Sequence, residues 1–139
     1  MTPDGTLTAR AAVLGELRRL RSQLSFVDGS IVASTDGLVI AHDLANTEAY
    51  GVEPEGVAAL SAVNLGLSQR VVDTANHGKL RETVIHGTFG HVVTYPAGHR
   101  ALLTVIVGGT TDLEALHGPA RQSASRVSAL LSEFLVDPV

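Results

Sequence analysis

Apolar positions along this chain follow two periods. Leu14, Leu17, Leu20 and Leu24 recur at helical spacing and predict a helix over 8–24, with Arg10, Arg18, Arg19 and Arg21 on its remaining surface. From Val27 the pattern becomes strand-like. Runs at 27–34 and 38–43 flank Thr35-Asp36-Gly37, whose glycine supplies the positive φ of a tight antiparallel hairpin. Residues 44–53 are mixed and read as a surface loop. Pro54 then opens a second helix over 55–76, since its missing N–H costs nothing in a first turn, and Gly78 is placed as a left-handed cap. Three strands follow at 80–86, 91–95 and 100–107, separated by Gly87-Thr88-Phe89-Gly90 and Pro96-Ala97-Gly98-His99. The last is apolar almost throughout, interrupted by Thr104, which predicts a central strand covered on both faces. The charged 80–86 run predicts an edge. A third helix starts after Gly108-Gly109, where Thr111 and Glu114 have capping-box spacing, and buries Leu113, Leu116, Val127, Leu130, Leu131 and Phe134.

Short turns make sequential strands antiparallel. The order α-β-β-α-β-β-β-α predicts an α+β fold, a five-stranded antiparallel sheet with helices on both faces, the first and third on one and the second on the other. The second helix carries more apolar surface than such a sandwich needs. Val57, Leu60, Leu67 and Val71 share one stripe, with Val63 at its edge, while Ala58, Ala62, Leu65 and Val72 form another well over a right angle away. One stripe suffices for a helix on the outside of a domain, so the second calls for a partner.

Composition narrows the classes. The 139 residues suit one domain over 1–139 with a core of about 8–135, residues 1–7 and 136–139 being short flexible tails. Hydrophobic residues at 45% against 17% charged residues argue for a folded chain. A net charge of −4 offers no footprint for nucleic acid, and five aromatic residues are too few for a base-stacking platform. The absence of cysteine excludes disulfides and thiolate chemistry. No apolar run approaches a bilayer span and no signal peptide is visible, so a cytoplasmic location is expected.

Candidate chemistry is sparse. Gly78-Lys79 has Asp73 where a phosphate loop needs glycine and Leu80 where it needs Ser or Thr. His86 and His91 flank a four-residue turn and can face each other across the hairpin, but two imidazoles make an incomplete site, so no metal is assigned. His42 and Asp43 are strand neighbours pointing to opposite faces and do not form a pair. No Gly-x-Ser-x-Gly elbow exists, and no catalytic residue or cofactor is expected. Phe89, at a hairpin tip, is either an exposed contact or folded over the sheet edge.

The run Ser30-Ile31-Val32-Ala33-Ser34-Thr35-Asp36-Gly37-Leu38-Val39-Ile40-Ala41-His42-Asp43 resembles the first hairpin of bacterial roadblock / dynein light-chain domains. Ala59-Leu60-Ser61-Ala62-Val63-Asn64-Leu65-Gly66-Leu67 is similar to their central helix, and the 81–85 and 101–105 strands continue the pattern. The likeness spans about 12–131, and the wording is closest to small actinobacterial members that resemble partners of Ras-like GTPases. It implies a profilin-like, roadblock-like fold and a homodimer in which two central helices pack together and edge strands join. On that basis Ala58, Ala62, Leu65, Gly66, Gln69 and Val72 of the helix, with Glu82 and Val84 of the edge strand, are expected at the dimer seam. The small side chains of Ala58, Ala62 and Gly66 would let two backbones approach. The resemblance further implies a noncatalytic scaffold or regulator of a small Ras-like GTPase, for which Arg70 and Asp73 are the candidate contacts. A small-ligand sensor of similar architecture is the alternative, and a metal-dependent enzyme using His86 and His91 a more distant one.

Overall fold

The computed structural model describes residues 3–47, 51–109 and 111–134. Helix α1 (Pro3–Gln23) leads into the hairpin β1 (Val27–Ser34) and β2 (Val39–Asp43). Helix α2 (Pro54–Thr74) connects to the meander β3 (Thr83–His86), β4 (Gly90–Ala97) and β5 (Ala101–Gly108), and α3 (Leu113–Phe134) follows. The strands form one antiparallel sheet in the order β2-β1-β5-β4-β3. β1 pairs with β5 at the centre, so the hairpin and the meander merge into one sheet although 66 residues separate their facing ends, Ser34 and Ala101 being partners. α2 thereby links the two edges, β2 and β3, across one face.

The expected elements are present, with local differences that have physical causes. α1 begins at Pro3 rather than Thr8, proline being well suited to a first helical turn. The third strand is shorter than expected: pairing starts only at Thr83, and residues 79–82 lie outside it. α2 ends at Thr74, with Ala75 still right-handed and Asn76 taking the left-handed position at φ 56°. His77 N–H donates to Val72 O at 3.0 Å and Asn76 N–H to Asp73 O at 3.0 Å, the double closure of a Schellman cap. Asn76 therefore does the work expected of Gly78. At the start of α3 the cap is Asp112, whose Oδ1 accepts from Glu114 N–H at 3.0 Å, and not Thr111, whose hydroxyl is buried without a partner.

The two faces of the sheet are built differently. Toward α1 and α3 lies a cluster of 18 buried residues, including Val13, Leu17 and Leu20 from α1, Leu103 and Val105 from β5, and Leu116 and Val127 from α3. Leu113 and Leu130 pack partly buried against it; the Phe134 side chain and residues 136–139 lie outside the described residues. Toward α2 the buried cluster has only five members: Ile31, Ala33, Ala58, Leu65 and Leu102. Beside them runs a polar stripe, in which the Thr94 and Thr104 hydroxyls share a 2.9 Å hydrogen bond and Asn64 Nδ2 donates to Thr83 Oγ1 at 3.3 Å. Alternation along β5 explains both faces: Ala101, Leu103, Val105 and Val107 turn one way, and Leu102 and Thr104 the other.

Candidate interaction surface

α2 is amphipathic in an inverted sense. Its sheet-facing side carries Ala58 at 0% exposure, Ser61 at 5% and Leu65 at 9%. Its outer side carries Leu60 at 73%, Val63 at 59%, Leu67 at 59% and Val71 at 67%. At about 100° per residue those four lie within an arc of roughly 80°, one continuous apolar stripe in water.

The small stripe, expected to face a partner, is turned toward the sheet, and the large one faces water. The small stripe packs inside the chain, because the hairpin turn comes too close for bulk. A Cβ added at Gly37 would stand 3.0 Å from Ala59 Cα and 3.6 Å from Ala62 Cβ, and Gly37 holds φ +87°. The close backbone approach foreseen between two helices is made by this hairpin and α2 of one chain. The large stripe is what remains unpartnered. Gly66 is exposed with open space around it, and Ala62 and Val72 are half-buried.

Other expected seam residues are held within the chain as well. Gln69 accepts from Leu80 N–H at 3.1 Å and donates to Asp73 Oδ1 at 2.7 Å, tying the end of α2 to the approach to β3. Glu82 lies before the strand rather than in it, and its Oε1 takes Arg121 Nη2 of α3 at 2.6 Å. Val84 packs partly buried on the α1/α3 core. Of the two candidate partner contacts, Asp73 is exposed but occupied by Gln69, and Arg70 is exposed on the flank of the large stripe, roughly 65° from its centre.

Apolar exposure continues past the helix. An open groove of about 520 Å³ is lined by Val52, Val57, Phe89, Val92 and Ile106. Val57 sits one turn ahead of Leu60, so the groove begins where the stripe does. Phe89, at 94% exposure, takes the exposed position at the hairpin tip, and Ile85 on the edge strand is 49% exposed. Thr88 and His91 are the polar residues of the groove lining, too few to converge on a polar ligand. The opposite edge is better guarded: Asp43 of β2 is buried and takes Arg21 Nε at 2.6 Å from α1. Two members of the arginine cluster on α1 are accounted for in this way, Arg21 by Asp43 and Arg19 by Glu16 at 3.4 Å.

Two titratable groups on the other face are perturbed. Burial, and secondarily the Glu82 charge, raises the Tyr95 phenol above its ordinary range, while Arg121 opposes the shift. The hydroxyl shares a 2.8 Å hydrogen bond with His117 Nδ1. The hydrogen bond to Glu82 raises the Arg121 guanidinium. This cluster joins β4, residue 82 and α3. Among the described residues no three His, Asp or Glu side chains converge as a metal cluster, and no helix is long and apolar enough to cross a membrane.

An α-β-β-α-β-β-β-α sandwich with an outward apolar central helix defines a protein class by its shape. The chain belongs to the Roadblock/LC7 domain family, whose model matches residues 13–107. An uncharacterised protein of Methanocaldococcus jannaschii is 28% identical over 104 residues, covering 75% of this chain and 87% of its own. Among solved structures, one of MglB with a tetrameric arrangement superimposes with a TM-score of 0.83 at 19% identity, covering 91% of this chain and 93% of that one. A Roadblock/LC7 domain from Streptomyces avermitilis gives a TM-score of 0.74 at 18% identity, covering 85% and 96%.

Proposed function

We propose that this chain is a noncatalytic, cytoplasmic regulator or scaffold that works as a homodimer and binds a small Ras-like GTPase. The observation that carries the reading is the exposed stripe Leu60, Val63, Leu67 and Val71 on α2. Each such side chain gains about 1.5–3 kcal/mol when fully buried, so four in one row make a strong drive toward a partner. A second copy suits the stripe because a two-fold axis lays an apolar helix face on its own image, and β3 beside it offers unpaired strand hydrogen bonds. The seam is therefore assigned to Leu60, Val63, Leu67 and Val71 with Ile85, in place of the buried Ala58 and Leu65. The tetrameric arrangement of the MglB relative supports self-association, and the roadblock likeness supports the GTPase.

Arg70, on the rim of the stripe, is the residue assigned to the GTPase contact. Light scattering on the purified chain yields about twice the 14.5 kDa chain mass. A monomer at micromolar concentration overturns the seam. GTP turnover by a Ras-like GTPase of the same cell, measured with and without this chain and its Arg70→Ala variant, then tests regulation. Unchanged turnover together with no binding by calorimetry overturns the GTPase.

A further inference from the structure

The β3–β4 hairpin places His86 directly opposite His91 in the strand register. Their Nδ1 atoms stand 2.9 Å apart, with ring centroids 4.7 Å apart and the planes at 87°. At that separation one Nδ1 carries a proton and the other accepts it; the two nitrogens are already converged on a single small atom. This pair plays no part in the core, nor in the apolar stripe of α2.

We infer that His86 and His91 chelate a divalent transition cation of the copper(II) or nickel(II) class. The distance fits the class. With metal–nitrogen bonds of about 2.0–2.1 Å, two cis ligands at a right angle stand roughly 2.9 Å apart, whereas a tetrahedral pair stands roughly 3.4 Å apart. The observed spacing matches the tetragonal arrangement that copper(II) and nickel(II) prefer and is short for zinc. Imidazole nitrogen suits these ions, and copper(II) heads the affinity order among divalent first-row metals. Binding needs no oxidant and no net proton loss from two neutral rings. The proton on the donor Nδ1 passes through solvent to its own Nε2, and each ring then presents an Nδ1 lone pair to the metal.

Because no third protein ligand converges there among the described residues, water fills the remaining positions and the site exchanges its ion readily. The mechanical consequence falls on β3. Within one chain this four-residue edge strand is held by pairing on one side only, and a chelate ties its last residue to β4. Metal occupancy therefore slows the opening of the edge.

The test uses the tag-free, chelator-treated full chain, titrated by calorimetry with copper(II), nickel(II) and zinc chloride in a non-coordinating buffer. One copper(II) per chain is expected, bound at least tenfold more tightly than zinc. His86→Gln and His91→Gln each weaken copper by tenfold or more, while His42→Gln, a control on the far edge, leaves it unchanged. Circular dichroism checks that each variant stays folded; both rings are at the surface. Electron paramagnetic resonance of the copper form shows two coupled nitrogens, reduced to one in each site variant. Hydrogen exchange at Ile85, which pairs with Val92, slows with metal in the wild type alone. Copper affinity unaffected by either site variant overturns the assignment, as does a signal without nitrogen coupling. Tighter binding of zinc than of copper overturns the choice of metal class.

Discussion

The two faces of the sheet use similar strands and solve opposite problems. Toward α1 and α3, 18 buried residues from six elements close around one core. Even the carboxylate of Glu16, 9% exposed between the helices, is satisfied there by Ser123 Oγ at 2.8 Å and approached by Arg126 at 3.6 Å. Toward α2 the sheet offers Ile31, Ala33 and Leu102 to the buried cluster and a line of threonines beside them, and the helix answers with Ala58, Ser61 and Leu65 while Leu60, Val63, Leu67 and Val71 face outward. A helix buries its bulk where it gains most. On the first face that place is inside the chain; on the second the bulk of α2 stands exposed, and the proposed seam is what would cover it.

The sharpest way to break this comparison is to charge the outer stripe. Leu60→Asp with Leu67→Asp raises the dissociation constant of the proposed dimer by on the order of a thousandfold, because four carboxylates, two from each copy, then sit in a desolvated seam. Sedimentation shows the loss of mass while circular dichroism keeps the helical signal, since neither residue touches the chain's own core. An unchanged mass removes the stripe from the interface.

Truncations inside the two clusters give the next largest effects. Leu17→Ala on the α1/α3 face costs about 3–5 kcal/mol, since Leu17 is wholly buried among well-packed neighbours. Leu65→Ala on the α2 face costs about 2 kcal/mol, because its cluster is small and its surroundings can relax into the gap. Urea denaturation measures both, and equal losses contradict the asymmetry of the faces.

The smallest effect is confined to alkaline solution. Tyr95 keeps its proton in the folded chain above pH 10.0, its ordinary value, while the unfolded chain releases it. The folded state then binds more protons than the unfolded one, so stability falls as pH rises past 10.0, by at most about 1.4 kcal/mol per pH unit. Tyr95→Phe flattens that part of the profile and leaves stability near neutrality to the lost His117 hydrogen bond, worth about 1 kcal/mol.

Much of this was legible beforehand because it is local. Asp36-Gly37 announces its hairpin, Pro54 its helix start, and the nearly continuous apolar run at 101–107 its central strand. The cross-strand meeting of His86 and His91 follows from a four-residue turn. Both stripes of α2 were countable from spacing alone, and one signal in them pointed the right way: alanines belong where a neighbour comes closest. That neighbour turned out to be the turn at Gly37, within the same chain. The Arg21–Asp43 pair and the Gln69 bridge to Leu80 left no trace in spacing, since their partners meet only after the sheet has formed.

What the sequence by itself determined is the series of elements, their periods and the existence of an apolar stripe too many. Periodicity is a property of a single helix or strand, carried by residues a few positions apart. Only the tertiary structure decided that β1 pairs with β5, that α2 spans the sheet from edge to edge, and that Leu60, Val63, Leu67 and Val71 rather than Ala58, Ser61 and Leu65 face outward. Spacing shows that a helix has two faces, and only the position of the sheet tells them apart.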